Sequence, residues 1–256
     1  MTSNLKEKTN IAIIFAGGVG QRLNGGDSIP KQFLKVNNKP IIIHTLELFQ
    51  SNENIDKIYI SIVETHYDYM KELVHYYHLS KVAGITTGGA TGQDSIYKAL
   101  KMASDENPKD SIVLVHDGVR PNITQEVINK NIENTLKKGS AITCTPCYET
   151  VLLSNDGETP TKVPYRKETF SAQAPQTFIL NELLEAHETE RKTNPDYKDI
   201  IDSCTLLTKQ GKQTSMIRGN FGNIKITTIE DLYILRALIR FKEDIEAFGI
   251  NKIGKQ

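Results

Sequence analysis

The sequence predicts an α/β fold: a doubly wound, mostly parallel sheet from which an antiparallel β-hairpin arm protrudes. Three observations carry this expectation. Short apolar runs alternate with stretches whose apolar residues recur at helical spacing, the pattern of right-handed βαβ units. Runs such as Ile11-Ala-Ile-Ile-Phe15 are continuously apolar, as strands covered on both faces must be. Between residues 141 and 178 the alternation lapses into extended segments around the turn signal Ser154-Asn-Asp-Gly157.

The elements follow in order. The first strand, 11–15, runs into the glycine-rich loop Ala16-Gly-Gly-Val-Gly-Gln-Arg22. A helix over 41–50 presents Ile42, Leu46 and Phe49 on one side, and 57–63 is the second strand. Helices over 67–77 and 94–103 precede a strand at 111–115, which ends in His116-Asp-Gly-Val-Arg-Pro121. Thr124 caps a helix over 126–138, with Val127, Ile128, Ile132 and Leu136 at helical spacing. Residues 141–147, 149–153 and 162–170 read as extended and form the arm, about 143–178. An isolated two-stranded arm is poorly stable and gains stability by docking on something else. A helix over 180–192, a short one over 203–207 and a last strand over 224–227 follow. Thr228-Ile-Glu-Asp231 is a capping box that starts the terminal helix. The expected organisation is a flexible N-terminus (1–9), a single domain (10–245) and a C-terminal tail (246–256).

Composition narrows the function classes. The 31 basic and 31 acidic residues of the 256-residue chain cancel, which argues against a polyanion-coating role. Three cysteines make no disulfide framework, the N-terminal residues lack the apolar core of a signal peptide, and no apolar run approaches a membrane span. A cytoplasmic protein is expected.

Both unusual loops sit at carboxyl ends of strands, where ligands of doubly wound sheets gather. The glycine loop lacks the third glycine of the dinucleotide fingerprint, and no Gly-Lys-Ser/Thr follows it. Glycines let backbone N–H groups approach phosphate oxygens, and Arg22 with Lys31 places two cations beside them, as a triphosphate requires. A tight strand-to-helix turn with two solvated cations has the same sequence. Asp117 ends an apolar strand, a place to hold Mg²⁺ through one or two oxygens or to cap the next turn. Lys225, the one basic residue of its apolar stretch, either faces the crevice and stabilises charge on a transferring phosphoryl group or points to solvent. Cys144-Thr-Pro-Cys147 lies in an expected strand, which turns residues three apart to opposite faces, so a metal or redox role is disfavoured. His75 and His78 lack acidic partners at ligand spacing, and His116 reads as a structural histidine. No Gly-x-Ser-x-Gly elbow is present.

Six motifs recur in a familiar order: the glycine loop 16–22, Pro30-Lys-Gln-Phe33, Gly88-Gly-Ala-Thr-Gly-Gln-Asp-Ser95, His116–Pro121, Ala174-Pro-Gln-Thr-Phe178 and Asn223-Ile-Lys-Ile-Thr227. Together they resemble the IspD/TarI family of cytidylyltransferases, over roughly residues 10–240. The resemblance implies a Rossmann-like nucleotidyltransferase sheet and transfer of cytidylate from CTP to a polyol phosphate, with Mg²⁺ at Asp117. It implies Arg22, Lys31 and Lys225 as catalytic cations, the first two on the triphosphate and the third on the reacting phosphate. Ala16, Gly17, Gly18, Gly20, Gly88, Gly89 and Ser95 would surround the nucleotide, and Arg120, Thr150 and Arg166 the polyol phosphate. The arm would embrace a second copy in a homodimer.

Val119, the segment Val163-Pro-Tyr-Arg-Lys167 and Asp202-Ser-Cys204 resemble the branch that makes CDP-ribitol for teichoic acid or capsule. The branch that uses 2-C-methyl-D-erythritol 4-phosphate in isoprenoid synthesis is the alternative, and a catalytically silent nucleotide-binding regulator on the same fold a further one. Retention of Arg22, Lys31, Asp117 and Lys225 together speaks against silence. The family loop often carries Asp and Arg where this chain has Ala90 and Gly92, which removes charged contacts near the nucleotide.

Overall fold

The computed structural model describes residues 5–18 and 29–248. Strand β1 (Asn10–Ala16) leads to α1 (Ile41–Gln50), β4 (Lys57–Ile62), α2 (Tyr67–Tyr76), β5 (Val82–Thr87), α3 (Gly92–Glu106) and β6 (Ile112–Asp117), with the small hairpin β2 (Lys35–Val36) and β3 (Lys39–Pro40) before α1. Then come α4 (Gln125–Lys138), β7 (Ser140–Pro146), β8 (Phe170–Ile179), α5 (Leu180–Arg191), α6 (Ser203–Lys209), β9 (Met216–Arg218) and α7 (Ile229–Phe248).

The main sheet has seven strands in the order β5-β4-β1-β6-β8-β7-β9. β5, β4, β1 and β6 are parallel, β8 is antiparallel to both of its neighbours, and β9 is parallel to β7. The chain winds from β1 outward to β5 and returns to β6 on the other side of β1. The switch point therefore lies between β1 and β6, where a crevice opens at the strand ends.

Period-two alternation sorts the strand side chains into two cores. Ala12, Ile14, Ile58, Ile60, Ile62, Ile112 and Leu114 pack with α1, α2 and α4 through Phe49, Met70 and Ile128. Ile11, Ile13, Tyr59, Val113 and Val115 pack on the opposite face with α3, α5 and α6 through Leu100, Leu183 and Leu206. This is the doubly wound arrangement expected. Thr124 caps α4 by accepting from the Val127 N–H at 3.3 Å, and Gly139 closes it in the left-handed region. The Thr228/Asp231 box opens α7: the Thr228 N–H donates to Asp231 Oδ2 at 2.9 Å, and the Asp231 N–H to Thr228 Oγ1 at 3.4 Å.

Two expectations are corrected. Residues 149–153 form no strand; between β7 and β8 the chain makes one isolated bridge, Leu153 with Lys162, so the arm is anchored by the β7–β8 ladder and is otherwise irregular. Residues 224–227, expected as a last strand, join no sheet. Ile226 instead packs with Val119, Leu232 and Leu235 under α7, and its N–H donates to the Val119 carbonyl at 2.9 Å. Among the described residues no helix is long and apolar enough to cross a membrane.

Candidate active site

The site grows from the end of β6. Asp117 pairs with Phe15 across the switch point and is buried. Lys225 Nζ lies 2.6 Å from its Oδ1, and Arg120 Nε 2.8 Å from its Oδ2. Burial alone raises a carboxyl pKa; here Lys225 and Arg120 outweigh it and hold Asp117 down at about 2. Lys225 faces the crevice. Its neighbours Ile224 and Ile226 pack into the small core under α7, and Lys225 between them turns to Asp117.

The loops that carry these charges are laced together through backbone carbonyls. Arg120 Nη1 donates to the Asn223 carbonyl at 2.9 Å, Asn122 Nδ2 to the Gly222 carbonyl at 2.9 Å, and Asn220 Nδ2 to the Asn122 carbonyl at 2.9 Å. The buried Asn223 side chain donates to the Ala174 carbonyl of β8 at 2.6 Å. His116 Nε2 lies 3.1 Å from the Arg120 carbonyl, and burial pushes its pKa down to about 4. Its charged form is disfavoured by burial, and through that contact it braces the loop.

The glycine loops meet on the other side of β1. A Cβ on Gly88 would stand 2.9 Å from Gly17 Cα, and one on Gly17 would stand 2.5 Å from Ser95 Oγ. Only glycine permits this backbone-to-backbone approach. Ser95 Oγ accepts from the Gly89 N–H at 3.0 Å and donates to the Thr91 carbonyl at 2.9 Å. Lys98 Nζ donates to the Gly88 carbonyl at 2.9 Å, and buried Gln32 pins the first loop by donating to the Ala16 carbonyl at 2.8 Å. Asp94 lies under Gly89 and is paired with Arg191 of α5, whose guanidinium stacks 4.5 Å from the Tyr97 ring centroid. The loop that lacks charged side chains at Ala90 and Gly92 is thus braced from outside by Lys98 and Arg191.

Two cavities flank Asp117 and Lys225. The first, about 210 Å³, is lined by Gly17, Gly18, Lys31 and Gly89. The second, about 250 Å³, lies on the β8 side and is lined by Arg120, Gln93, Gln176, Asp202 and Ser203. Both include Phe15, Gly92, Asp117 and Lys225 in their walls. A chamber for each of two substrates that meet at a lysine and a carboxylate suits group transfer between phosphates.

Ala16, Gly17, Gly18, Lys31, Gly89, Asp117, Arg120 and Lys225 converge at these chambers, with Gly88 and Ser95 directly behind the glycine loop. Thr150 and Arg166 do not: both are exposed on the arm and line neither cavity. Arg22 and Gly20 lie outside the described residues. Sequence reasoning assigned no role to Gln32, Lys98, Arg191 and the asparagines 122, 220 and 223. Gln32 and Asn223 sit inside motifs and were open to notice; Arg191 reaches the loop from α5, a contact no local pattern announces. Among the described residues no group of three or more His, Cys, Asp or Glu is arranged to hold a metal, and Cys144, Cys147 and Cys204 are free thiols.

The family model described as IspD, 2-C-methyl-D-erythritol 4-phosphate cytidylyltransferase, matches residues 10–241. The chain belongs to the IspD family of cytidylyltransferases. Its similarity extends to a ribitol-5-phosphate cytidylyltransferase of Streptococcus agalactiae serotype V, 43% identical across 94% of this chain and 99% of the relative. A 2-C-methyl-D-erythritol 4-phosphate cytidylyltransferase of Clostridium botulinum is 36% identical across 88% of this chain and 95% of its own. Among solved structures, the 4-diphosphocytidyl-2C-methyl-D-erythritol synthase of Anaerococcus prevotii superposes with a TM-score of 0.78 at 25% identity, covering 94% of this chain and all of that one. An IspD-family cytidylyltransferase is a nucleotidyltransferase, so the paired chambers belong to an enzyme.

Proposed function

We propose that this cytidylyltransferase joins CTP to D-ribitol 5-phosphate, giving CDP-ribitol, a teichoic acid or capsule precursor, and pyrophosphate. The observation that carries the two-substrate reading is the pair of chambers meeting at Asp117 and Lys225. The acceptor rests on relatives: those named for ribitol 5-phosphate reach 43% identity, those named for methylerythritol phosphate 36%. The latter acceptor is the second reading, favoured by the description of the matching family model.

In this reading Gly17 and Gly18 offer backbone donors to the triphosphate beside Lys31, with Arg22 as a further cation from the sequence motif, while Arg120 and Lys225 take the acceptor phosphate. An oxygen of that phosphate attacks the α-phosphorus of CTP, the bond from that phosphorus to the bridging oxygen breaks, and pyrophosphate leaves with the electron pair. No covalent enzyme intermediate is needed; positioning and charge stabilisation suffice. His116 is buried and lines neither chamber, so it takes no part in the step. Lys225 starts on Asp117 and moves its charge onto phosphate as the substrates arrive.

One ionised carboxylate together with substrate phosphates is a common way to hold Mg²⁺, and Asp117 fits it once Lys225 releases Oδ1. Held by Asp117 and the substrate phosphates, such an ion would supply charge neutralisation at the triphosphate. A cytoplasmic location is supported by the three free thiols.

Pyrophosphate release with CTP, a divalent cation and a panel of phosphates tests the reading. Ribitol 5-phosphate should exceed 2-C-methyl-D-erythritol 4-phosphate in kcat/KM by at least about tenfold, or 1.4 kcal/mol. ATP should be a poor donor, and chelation should stop turnover. Equal or reversed acceptor preference selects the second reading.

The arm supports a homodimer. Tyr148, Leu152, Val163 and Tyr165 are 56–60% exposed on it, an apolar surface that a second copy would cover. If Arg166 of one chain serves the Lys31 site of the other, Lys31→Ala and Arg166→Ala homodimers are each nearly inactive. Mixed and exchanged, half the dimers are hybrids with one intact site, and activity returns to about one quarter of the parent. Inactivity after demonstrated subunit exchange would refute the shared site.

A further inference from the structure

The loop that walls the first chamber has little of its own to hold it. Gly89, Ala90, Thr91 and Gly92 line that chamber, and residues 88–92 include three glycines. Glycine loses the most conformational freedom on ordering. A ligand met by this backbone would bear the cost of fixing it unless something else has already done so.

Asp94 supplies the hold. Its carboxylate lies so close against the loop that a Cβ on Gly89 would overlap it. The Asp94 N–H donates to Thr91 Oγ1 at 3.1 Å, one half of a capping box for α3. In the other half of such a box the acidic side chain turns back to the helix start. Here its Oδ1 accepts from Arg191 Nη1 at the end of α5, and Lys98 Nζ stands 4.0 Å from Oδ2.

Arg191 is placed for this reach. Its guanidinium lies 4.5 Å from the Tyr97 ring centroid and 5.7 Å from that of Tyr197. Tyr197 is itself locked: it is buried, and its hydroxyl is 2.7 Å from Nδ1 of buried His187. It also holds a left-handed φ of 53°, a conformation that costs a residue with a Cβ and persists where the surroundings impose it. Two rings, a buried histidine and a strained turn thus aim one guanidinium at the carboxylate under the loop.

We propose that Arg191, acting through Asp94, is a positioning residue for the nucleotide: it fixes the 88–92 backbone in its binding shape before the nucleotide arrives. Neither residue lines a chamber, so each acts only through the loop. The inference rests on the assignment of the first chamber to CTP and extends it to α5.

Steady-state kinetics of the full chain tests this, with the better of ribitol 5-phosphate and 2-C-methyl-D-erythritol 4-phosphate as acceptor and both substrates varied. Arg191→Met and Asp94→Asn should each raise the KM for CTP about tenfold, with kcat and the acceptor KM within twofold of the parent. The double variant should be no worse than either single one, because the brace is lost only once. Tyr97→Leu, which keeps the ion pair and removes the nearer ring, should raise the KM for CTP about threefold and serves where Arg191→Met does not fold. Lys209→Met, which breaks the neighbouring Lys209–Glu190 pair between α6 and α5, should change neither KM. A parental KM for CTP in folded Arg191 and Asp94 variants overturns the proposal. So does a rise of about a hundredfold in the double variant, or of about tenfold with Lys209→Met. A rise confined to the acceptor KM overturns the assignment of the chamber to CTP, and the proposal with it.

Discussion

Lys225→Ala should lower kcat by roughly 10²–10³ while the KM for CTP stays within a few-fold. In the free enzyme the ammonium is committed to Asp117 at 2.6 Å, so its stabilising charge becomes available to phosphate only as the substrates displace that pairing. A group used this way contributes most when charge shifts onto the leaving pyrophosphate and less when CTP merely binds. Steady-state kinetics with both substrates varied separates the cases. Parental kcat with a raised KM for CTP would make Lys225 a ground-state ligand.

Asp117→Asn should abolish most turnover and also destabilise the fold at neutral pH. The carboxyl is held at about 2 against an ordinary 3.8, so the folded state binds its proton more weakly than the unfolded chain does. A depressed carboxyl stabilises the fold above its unfolded value, and the contribution is lost as pH falls from about 4 through about 2. Its size is on the order of 2 kcal/mol. Urea unfolding should therefore show a parent–variant gap at pH 7 that narrows below pH 4. A constant gap, or none, would mean that Lys225 and Arg120 do not stabilise the buried charge.

The same two residues show how far the sequence could be read. Asp117 stood out as a carboxylate closing an apolar strand, although the same residue could equally have capped the next turn. For Lys225 the flanking isoleucines left open whether the cation faces the crevice or solvent, and only the packing of Ile226 under α7 with the Asp117 contact decides it. The apolar pattern at 224–227 did mark a packed segment, but its partner is a helix and not a strand. Ile226 is buried under α7, and no pattern within four residues distinguishes that from a sheet. Strand β5 went unread because it is a half-buried edge with Gly84 in its middle, and β8 because Pro175 and alternating polar residues break its apolar signal. The strands with continuous apolar runs, β1, β4 and β6, were plain because both faces are covered. Within the site, many of the residues named from motifs converge at the chambers, Thr150 and Arg166 do not, and the pairings were not legible: the Arg191–Asp94 brace and the asparagine lacing exist only after distant segments meet.

The two chambers share four wall residues, Phe15, Gly92, Asp117 and Lys225, and each has the rest of its wall to itself. Heritable change can therefore act on one side at a time. On the proposed assignment, substitutions at residues 173, 176, 202 or 203 would reshape what is accepted without touching the glycines proposed to meet the nucleotide, and the reverse would hold at 31, 89 or 90. A lineage that duplicates such a gene can keep one donor and explore many acceptors, with the shared carboxylate and lysine as the fixed point of the divergence.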